Sequence, residues 1–361
     1  MAKKAGRKKA ARMRAVAETT AIAAGRKASA RKAAPAIDKE SSVRQCIMDH
    51  KEPAKRKLSA EDERFLEYVE RKVRNTINKN GLFSRKNRIA MAVSGGKDST
   101  VCLYILKKLG YEVEAITIDV QIGCYTDTNL ANIKKFCEEQ GVKLHVISLR
   151  EEFGMSLCYM RDALKEKGEG LSSCMICGTL KRYLLNKYSR KLGFDRLATG
   201  HNMDDEAQTF VMNLFKNEMH LAQRQGPITR QSSGLFVTRV KPMYNISENE
   251  IIRYSRLRAF PVHYGICPCS EDAYRRDYLN MLDDFEKKYP SVKYNILHFH
   301  ERMMEFVNAA KGTEMIPEKN NKDVSGKRSD SPAAVGICES CGEPASKSVC
   351  KVCQLLAKIK S

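Results

Sequence analysis

The stretch AVSGGKDST, residues 92–100, constrains the fold more than any other part of the chain. An apolar run, RIAMAV (88–93), stops directly before its two glycines, and apolar residues then recur at helical spacing as far as Leu109. The segment is therefore predicted to be a strand, a tight turn and a helix that begins at Lys97. Glycines let a backbone approach a ligand closely, and the amides at a helix start favour an anion. The turn is predicted to bind phosphate.

The common phosphate loop GxxxxGK(S/T) is excluded, because Met91 stands where it needs its first glycine and Asp98 follows Lys97. SGGKDS, residues 94–99, is instead the signature of the PP-loop pyrophosphatase superfamily, which this segment resembles closely. That resemblance implies ATP binding and adenylation of a substrate with release of pyrophosphate. The alternative is a turn in which the glycines serve only the backbone geometry.

Four predicted strands alternate with helical segments, and they cover residues 88–93, 113–119, 143–149 and 194–200. Such alternation predicts an α/β fold with a doubly wound parallel sheet, covered by helices on both faces. An amphipathic helix that begins after Ser59 precedes the first strand. Ligands bind beyond the carboxyl ends of parallel strands. The residues expected to line one crevice there are Ser94, Asp119, Gly200 and His201.

The fourth predicted strand leads into TGHNMDDEAQT, where Asp204 and Asp205 begin a helix at the mouth of the expected crevice. Two adjacent carboxylates would repel a triphosphate unless a cation lies between them, so the pair predicts bound Mg²⁺. The alternative is that both acids simply cap the helix N-terminus.

The formal charge is +21, and residues 1–57 contribute much of it, with 17 Lys/Arg against 5 Asp/Glu. This Ala-, Lys- and Arg-rich tail is predicted to be disordered alone and to bind a polyanion such as RNA. A solubilising tail and an organelle transit peptide are the alternatives. Glu18 interrupts the run that a secretory signal would need, and no apolar run is long enough for a membrane span. A cytoplasmic protein without a membrane partner is expected.

The chain has 13 cysteines and no secretory signal, which favours metal or thiol chemistry over disulfides. Near the C-terminus, CESCGEPASKSVCKVC contains two CxxC pairs separated by eight residues. Four thiolates at this spacing predict a Zn²⁺ ribbon over residues 335–361. Its expected ligands are Cys338, Cys341, Cys350 and Cys353. Another metal or a redox pair is the alternative. The polar segment 311–334 predicts a linker and hence a mobile ribbon.

A second cysteine group has an odd number of members. SSCMICGTL places Cys174 and Cys177 at the start of a basic helix, and HYGICPC supplies Cys267 much later in the chain. A closed structural zinc site needs four ligands, whereas three thiolates leave one iron of a cluster open to an outside ligand such as sulfide. The alternatives are a zinc site completed by Cys269 or His201, and a catalytic disulfide pair.

Together these motifs resemble one family, the tRNA 2-thiouridine synthetases of the TtuA and NcsA type. The resemblance covers residues 60–357, and it rests on SGGKDST, SSCMICGTLKRYLLNKY, TGHNMDDEAQTFVMNLF, RVKPMYNISENEI, the Cys-Pro pair at 267–268 and the terminal CKVC. It implies a 4Fe-4S cluster bound by Cys174, Cys177 and Cys267. It also implies that Lys181 is the essential lysine beside the cluster and that Asp205 is the catalytic acidic residue. The ATP-binding residues expected from the motifs and the resemblance are Ser94, Gly95, Gly96, Lys97, Asp98, Ser99, Asp119, Gly200, His201 and Asp204.

Two features depart from the family pattern. The loop after the second strand has Gln121 and Cys124 where the family has glycines, although Asp119 is present. Family members commonly begin with a second four-cysteine zinc ribbon, whereas here Cys46 and His50 precede the first helix without further cysteines. The basic tail is expected to replace the RNA contacts of that ribbon.

The expected activity is ATP-dependent 2-thiolation of a tRNA uridine, at position 34 rather than 54, because the N-terminal ribbon is missing. ATP would adenylate the C2 oxygen, and sulfide held by the cluster would displace AMP. The expected partners are tRNA, a ubiquitin-like sulfur carrier or other sulfide donor, and a second copy of the chain. One alternative is another PP-loop tRNA-modifying ligase, which has no use for the three cysteines. The other alternative is a non-catalytic RNA-binding or sulfur-relay protein, which would not need Lys97 and Asp98.

The expected domain order has five parts. They are a basic tail over 1–57, a PP-loop ATP-binding catalytic domain over 58–245, a helical extension with the third cluster cysteine over 246–310, a linker over 311–334 and the zinc ribbon over 335–361.

Overall fold

The computed structural model describes residues 56–229, 233–265, 267–269, 273–310 and 335–360. The predicted linker, Cys46, His50 and all but the last two residues of the predicted tail therefore lie outside the described residues.

Five strands form one sheet in the order β3-β2-β1-β4-β5, and every neighbouring pair is parallel. They are β1 (Ile89–Ala92), β2 (Val113–Asp119), β3 (Leu144–Ser148), β4 (Arg196–Thr199) and β5 (Thr238–Val240). The predicted α/β fold with a parallel sheet is confirmed. The fifth strand was not predicted.

The helices of the described segments alternate with these strands and then continue beyond the sheet. Up to β5 they are α1 (Ala60–Asn80), α2 (Lys97–Lys108), α3 (Gly123–Glu139), α4 (Leu149–Phe153), α5 (Leu157–Glu166), α6 (Ser173–Lys191), α7 (Met203–Phe215) and α8 (Met219–Ala222). After β5 come α9 (Glu248–Leu257), α10 (Ala273–Lys288) and α11 (Val292–Ala310), and the C-terminal segment has β6 (Gly336–Ile337), β7 (Pro344–Ala345) and α12 (Lys351–Lys360). None of the described helices is long and apolar enough to cross a membrane.

The first helix begins as its sequence predicts. Ser59 and Asp62 form a reciprocal capping box, in which the Ser59 hydroxyl accepts from the Asp62 amide at 3.1 Å. The helix ends at Gly81, whose left-handed conformation (φ 56°) closes the last turn. Its apolar face, including Leu66 and Val73, is buried against the sheet.

Both faces of the sheet are covered, because successive side chains of a strand point to opposite sides. Ile89 and Met91 of β1 belong to a core built with α1, α2, α3 and α9, whereas Ala90 belongs to a second core built with α5 and α6. Ile251 of α9 lies in the first core, although the sequence assigned it to a separate extension. A third, smaller core joins α7 to α10 and α11.

The C-terminal ribbon is docked on the domain, so the prediction of a mobile ribbon is wrong. Its strands β6 and β7 form an antiparallel pair, and Val352 of α12 is buried in the second core. Ion pairs join Arg190 of α6 to Glu343 at 3.2 Å and Lys358 to Glu169 at 2.5 Å. Burial of an apolar helix face holds the ribbon in place, and a polar linker does not prevent such burial.

Candidate functional site

The turn after β1 requires glycine at one position. Gly95 has φ +79°, and a Cβ there would lie 2.3 Å from the Asn129 carbonyl oxygen. The Ser99 hydroxyl donates to the Gly96 carbonyl at 3.1 Å and accepts from the Ser94 amide at 3.2 Å. These bonds fix the turn and direct the first amides of α2 towards the carboxyl edge of the sheet, where an anion would be stabilised.

The end of β4 packs directly on this turn. A Cβ at Gly200 would lie 2.8 Å from the Ser99 amide nitrogen, so glycine allows the two backbones to approach. His201 follows, and its Nδ1 lies 2.8 Å from the Thr199 hydroxyl. Desolvation in the crevice and the nearby Lys241 ammonium lower the pKa of His201. The imidazole is therefore neutral at physiological pH.

Lys97 places a fixed positive charge beside the turn. Its Nζ lies 2.7 Å from Glu248 Oε1 and 3.1 Å from Asp98 Oδ2. Burial alone would lower the pKa of Lys97, but these two carboxylates raise it above its usual value. Glu248 begins α9, and its role as a partner of Lys97 had no signal in the sequence.

Asn202 ties the start of α7 to the start of α2. Its amide nitrogen donates to Asp98 Oδ1 at 3.0 Å, and its Oδ1 accepts from the Asp205 backbone amide at 3.0 Å. Asp205 Oδ2 accepts from the Asn202 backbone amide at 3.3 Å, and Asp205 Oδ1 lies 3.5 Å from the Arg275 guanidinium. Desolvation raises the pKa of Asp205, and Arg275 only partly opposes it. Asp98 and Asp205 are thus held on either side of one amide.

Asp204 faces a different group of charges. It is buried, its Oδ1 lies 2.5 Å from Lys293 Nζ, and its Oδ2 accepts from the Glu248 amide at 2.8 Å. Lys293 also pairs with Asp283 at 2.7 Å and Glu286 at 2.8 Å. The three acids lie within 4.8 Å of one another, as metal ligands would, and the single Lys293 ammonium offsets only one of their three negative charges. Lys293 therefore ties α11 to the start of α7 at Asp204, in a group of acids that keeps a net negative charge.

Asp119 organises its own loop after β2. Its Oδ1 accepts from the Gln121 amide at 3.0 Å, and Gln121 has φ +56°, in the left-handed region. A side chain in that conformation costs about 1–2 kcal/mol relative to glycine. The loop therefore keeps the backbone shape of a glycine-containing turn, although Gln121 and the exposed Cys124 stand at the expected glycine positions.

The first turn of α6 presents two of the three predicted cluster cysteines. Ser172 caps this helix by accepting from the Met175 amide at 3.3 Å. Cys174 and Cys177 are one turn apart and so lie on the same side of the helix. Cys174 Sγ lies 3.6 Å from the Cys269 carbonyl oxygen, so the later cysteine segment runs beside this turn. The positive end of the helix dipole favours thiolates here.

Cys267 and Lys181 both act on Cys177. Burial and the neighbouring Cys267 thiol raise the pKa of Cys177, while the Lys181 ammonium opposes this rise. Within the described segments, these thiols do not form a group with all sulfurs inside 4.8 Å, as the ligands of a single ion would.

His263 connects the phosphate turn to the later cysteine segment. Its backbone forms a parallel bridge with Gly96. A Cβ at Gly265 would lie 2.2 Å from the His263 ring, so a side chain at this position would force that ring to move.

Tyr125 lies between the two halves of the site. Its ring meets the His263 ring edge to face, with centroids 5.7 Å apart. Burial and Cys267 raise the pKa of the Tyr125 hydroxyl, while Lys97 lowers it and Cys177 raises it. Tyr125 thus packs on the residue whose backbone bridges to Gly96 of the phosphate turn.

The ribbon cysteines have a different geometry. The sulfur atoms of Cys338, Cys341, Cys350 and Cys353 all lie within 4.8 Å of one another. Burial alone would raise the pKa of Cys338, but backbone amide donors, with Cys350 first among them, lower it. This close set with stabilised thiolate fits a single tetrahedral ion such as Zn²⁺.

Comparisons with known proteins agree with this geometry. Residues 65–264 match a family described as a PP-loop domain. A tRNA-5-methyluridine(54) 2-sulfurtransferase from Pyrococcus horikoshii is 32% identical over 293 residues, which cover 81% of this chain and 86% of that protein. The chain belongs to the PP-loop family of tRNA 2-thiolation proteins.

Two further relatives support this assignment. The cytoplasmic tRNA 2-thiolation protein 1 of Kluyveromyces lactis is 30% identical to this chain, and the match covers 81% of this chain and 80% of that protein. The solved structure of the U34-tRNA thiolase NcsA from Methanococcus maripaludis with its 4Fe-4S cluster is 28% identical. It superposes with a TM-score of 0.62, over 81% of this chain and 88% of that one.

The structure of this PP-loop protein brings most predicted site residues together. The turn residues 94–99, Gly200 and Asp205 meet at the carboxyl edge of the sheet, and Tyr125 packs on His263, which bridges to Gly96. Asp204 is turned towards Lys293 instead. The residues that sequence reasoning missed are Asn202, Glu248, His263 and Lys293. Only Asn202 had a local signal, the spacing of its capping box with Asp205.

Proposed function

We propose that this chain is an ATP-dependent tRNA uridine 2-sulfurtransferase. One observation carries the proposal. His263, whose backbone bridges to Gly96 of the phosphate turn, stands four residues before Cys267, which supports a nucleotide site and a thiol site near one another. An enzyme that activates an oxygen with ATP and replaces it with sulfur needs both chemistries at one carbon atom.

The phosphate turn would hold the triphosphate of ATP. The amides at the start of α2 and the hydroxyls of Ser94 and Ser99 are suited to phosphate oxygens, and Lys97 adds a positive charge. Asp98 and Asp204 are the carboxylates that would hold Mg²⁺ beside the phosphates.

Cys174, Cys177 and Cys267 would hold a 4Fe-4S cluster. When bound with three protein thiolates, such a cluster supplies an iron position at which sulfide can be carried. Lys181 lies one turn after Cys177, and its ammonium opposes the rise that burial causes in the pKa of Cys177, so it would stabilise negative charge beside the thiolates. The ribbon cysteines would hold a separate structural Zn²⁺.

The reaction balances in two steps. The uridine C2 oxygen attacks the α-phosphorus of ATP, pyrophosphate leaves, and Lys97 stabilises the charge on the phosphates. Sulfide then adds at C2 and the C2–O bond breaks, so the oxygen departs with AMP and 2-thiouridine forms. Burial raises the pKa of Asp205, which suits this carboxylate to accept the uridine N3 proton in the first step and to return it in the second.

The substrate position and partners follow from the relatives and the charge. Relatives named for U34 and for U54 are similarly close, and we favour U34, the position for which the structurally similar thiolase of Methanococcus maripaludis is named. The target uridine must be unstacked to reach the site. A cytoplasmic location, a second copy of the chain and a ubiquitin-like sulfur carrier complete the proposal.

The test is reconstitution. Anaerobic protein with iron and sulfide is incubated with ATP, Mg²⁺, sulfide and unmodified tRNA transcripts carrying U34→C or U54→C. The proposal predicts 2-thiouridine in the U54→C transcript and none in the U34→C transcript. Thiolation of only the U34→C transcript would overturn the position, and an iron-free protein that thiolates fully would overturn the cluster.

A further inference from the structure

The segment between α8 and the end of β5 is basic and contains no acid. Residues 224–241, RQGPITRQSSGLFVTRVK, have four Lys/Arg and no Asp or Glu. β5 is the edge strand next to β4, so it brings Arg239 to the side of the sheet where α6 packs.

Two arginines meet on the flank of α6. Arg239 Nη2 donates to the Arg182 carbonyl oxygen at 3.1 Å. The Arg182 guanidinium folds back along its own helix, because a Cβ at Gly178 would lie only 3.1 Å from its Nη1. The absence of a side chain at Gly178 therefore makes room for a guanidinium one residue beyond Cys177.

These guanidinium groups have no carboxylate partner among the described residues, whereas Arg88, Arg161 and Arg275 do. Burial lowers the pKa of Arg239 to about 10, and the neighbouring charges of Arg182 and Arg224 act in the same direction. Like charges gathered at a half-buried position are unfavourable until an anion binds between them.

Two of the arginines lie close to elements of the candidate site. Arg239 pairs with Leu197 of β4, the strand that leads to Gly200 and His201. Arg182 follows Cys177 by five residues on α6. A uridine that enters the site between nucleotide and thiols would bring its flanking phosphodiesters past this point.

We propose that Arg182, Arg224 and Arg239 form a phosphate-binding site that holds the RNA backbone beside the target uridine. The assignment rests on the proposed function. Arginine forks bind phosphate oxygens in pairs, which fixes the orientation of a nucleotide as well as attracting it. The phosphates of ATP have their own site at the α2 turn, so an RNA phosphate is the occupant that these arginines fit.

The test measures tRNA binding by the full-length protein over a series of KCl concentrations, without ATP or sulfide. The variants are Arg182→Gln, Arg224→Gln and Arg239→Gln, and Arg302→Gln on α11, which is also exposed, is the control. Each lost contact with a single-stranded phosphate should reduce the slope of log affinity against log salt by about 0.7. Affinity should fall several-fold at low salt, and the control should match wild type.

Two results would overturn the proposal. Slopes equal to wild type in all three variants would exclude an RNA contact. Weaker ATP binding with unchanged tRNA slopes would assign the site to the nucleotide instead. Arg182→Gln keeps the carbonyl that Arg239 uses, so it and Arg224→Gln decide the question if Arg239→Gln unfolds. The thiolation activity of the wild-type protein tests the proposed function, and that measurement is independent of the salt dependence of tRNA binding.

Discussion

Replacing the two glycines of the phosphate turn by alanine, one at a time, should show that Gly95 is required for folding stability and that Gly96 is not. Gly95 has φ +79°, and its added Cβ would lie 2.3 Å from the Asn129 carbonyl oxygen. Gly96 has φ −84°, and the nearest atom to its added Cβ is Ser94 Oγ at 3.5 Å, an ordinary contact. Both residues are adjacent in the same turn, so each variant controls for the other.

The expected difference follows from these contacts. In Gly95→Ala the left-handed backbone costs about 1–2 kcal/mol, and the clash with a backbone atom costs about 1–3 kcal/mol more. The free energy of unfolding should therefore fall by about 2–5 kcal/mol. In Gly96→Ala the change replaces a glycine N-cap by alanine, which should cost about 1 kcal/mol or less.

The assay is urea unfolding followed by far-ultraviolet circular dichroism, because the chain has no tryptophan. Gly95→Ala should unfold at clearly lower urea than Gly96→Ala, with the same dependence on urea concentration. ATP binding by calorimetry should be lost in Gly95→Ala even where it is folded, since the turn must move away from α3. Equal midpoints for wild type and Gly95→Ala would refute the steric argument.

Three further predictions concern the nucleotide, the cluster and the tail. Lys97→Ala should abolish thiolation but leave the iron absorption of the anaerobic protein intact, because the Lys97 side chain contacts Asp98 and Glu248 and not the cysteines. Loss of iron in this variant would contradict the separation of the nucleotide site from the cluster site. Cys267→Ser should lose the cluster and the activity, whereas Cys269→Ser should keep most of both. The reason is that the proline between the two cysteines prevents both thiols from pointing easily at one cluster. Iron analysis that shows the reverse, or loss of iron in both variants, would contradict the ligand assignment. Deleting residues 1–56 should weaken tRNA binding and flatten its salt dependence without affecting thermal unfolding; unchanged affinity at several salt concentrations would leave the tail with another role.

The sheet was largely predictable, because each buried strand is an apolar run followed by a helical segment. β5 was missed because Thr238–Val240 is short and carries Arg239 at its centre. Its place in the sheet depends on pairing with β4, a contact that no local pattern encodes. The docking of the ribbon was missed for a similar reason. The apolar residues of α12 were visible in CQLLAKIK, but not the surface of α6 that they cover.

The candidate site was predictable where chemistry sits in one motif and not where it depends on distant partners. SGGKDS identifies its own turn. In contrast, Asp204 was assigned to the nucleotide from its position beside Asp205, and its buried partner Lys293 lies 89 residues further along the chain. Glu248 and His263 are likewise ordinary residues in sequence, and only tertiary packing brings them to Lys97 and Gly96.

The most direct test of the central claim is an isotope measurement on the reaction itself. tRNA with ¹⁸O at C2 of the target uridine is incubated with anaerobic reconstituted protein, ATP, Mg²⁺ and sulfide, and AMP is analysed by mass spectrometry. Activation of the C2 oxygen by ATP predicts one ¹⁸O-labelled AMP for each 2-thiouridine formed, because that oxygen leaves with the phosphate. Formation of 2-thiouridine with unlabelled AMP, or without AMP, would contradict the account.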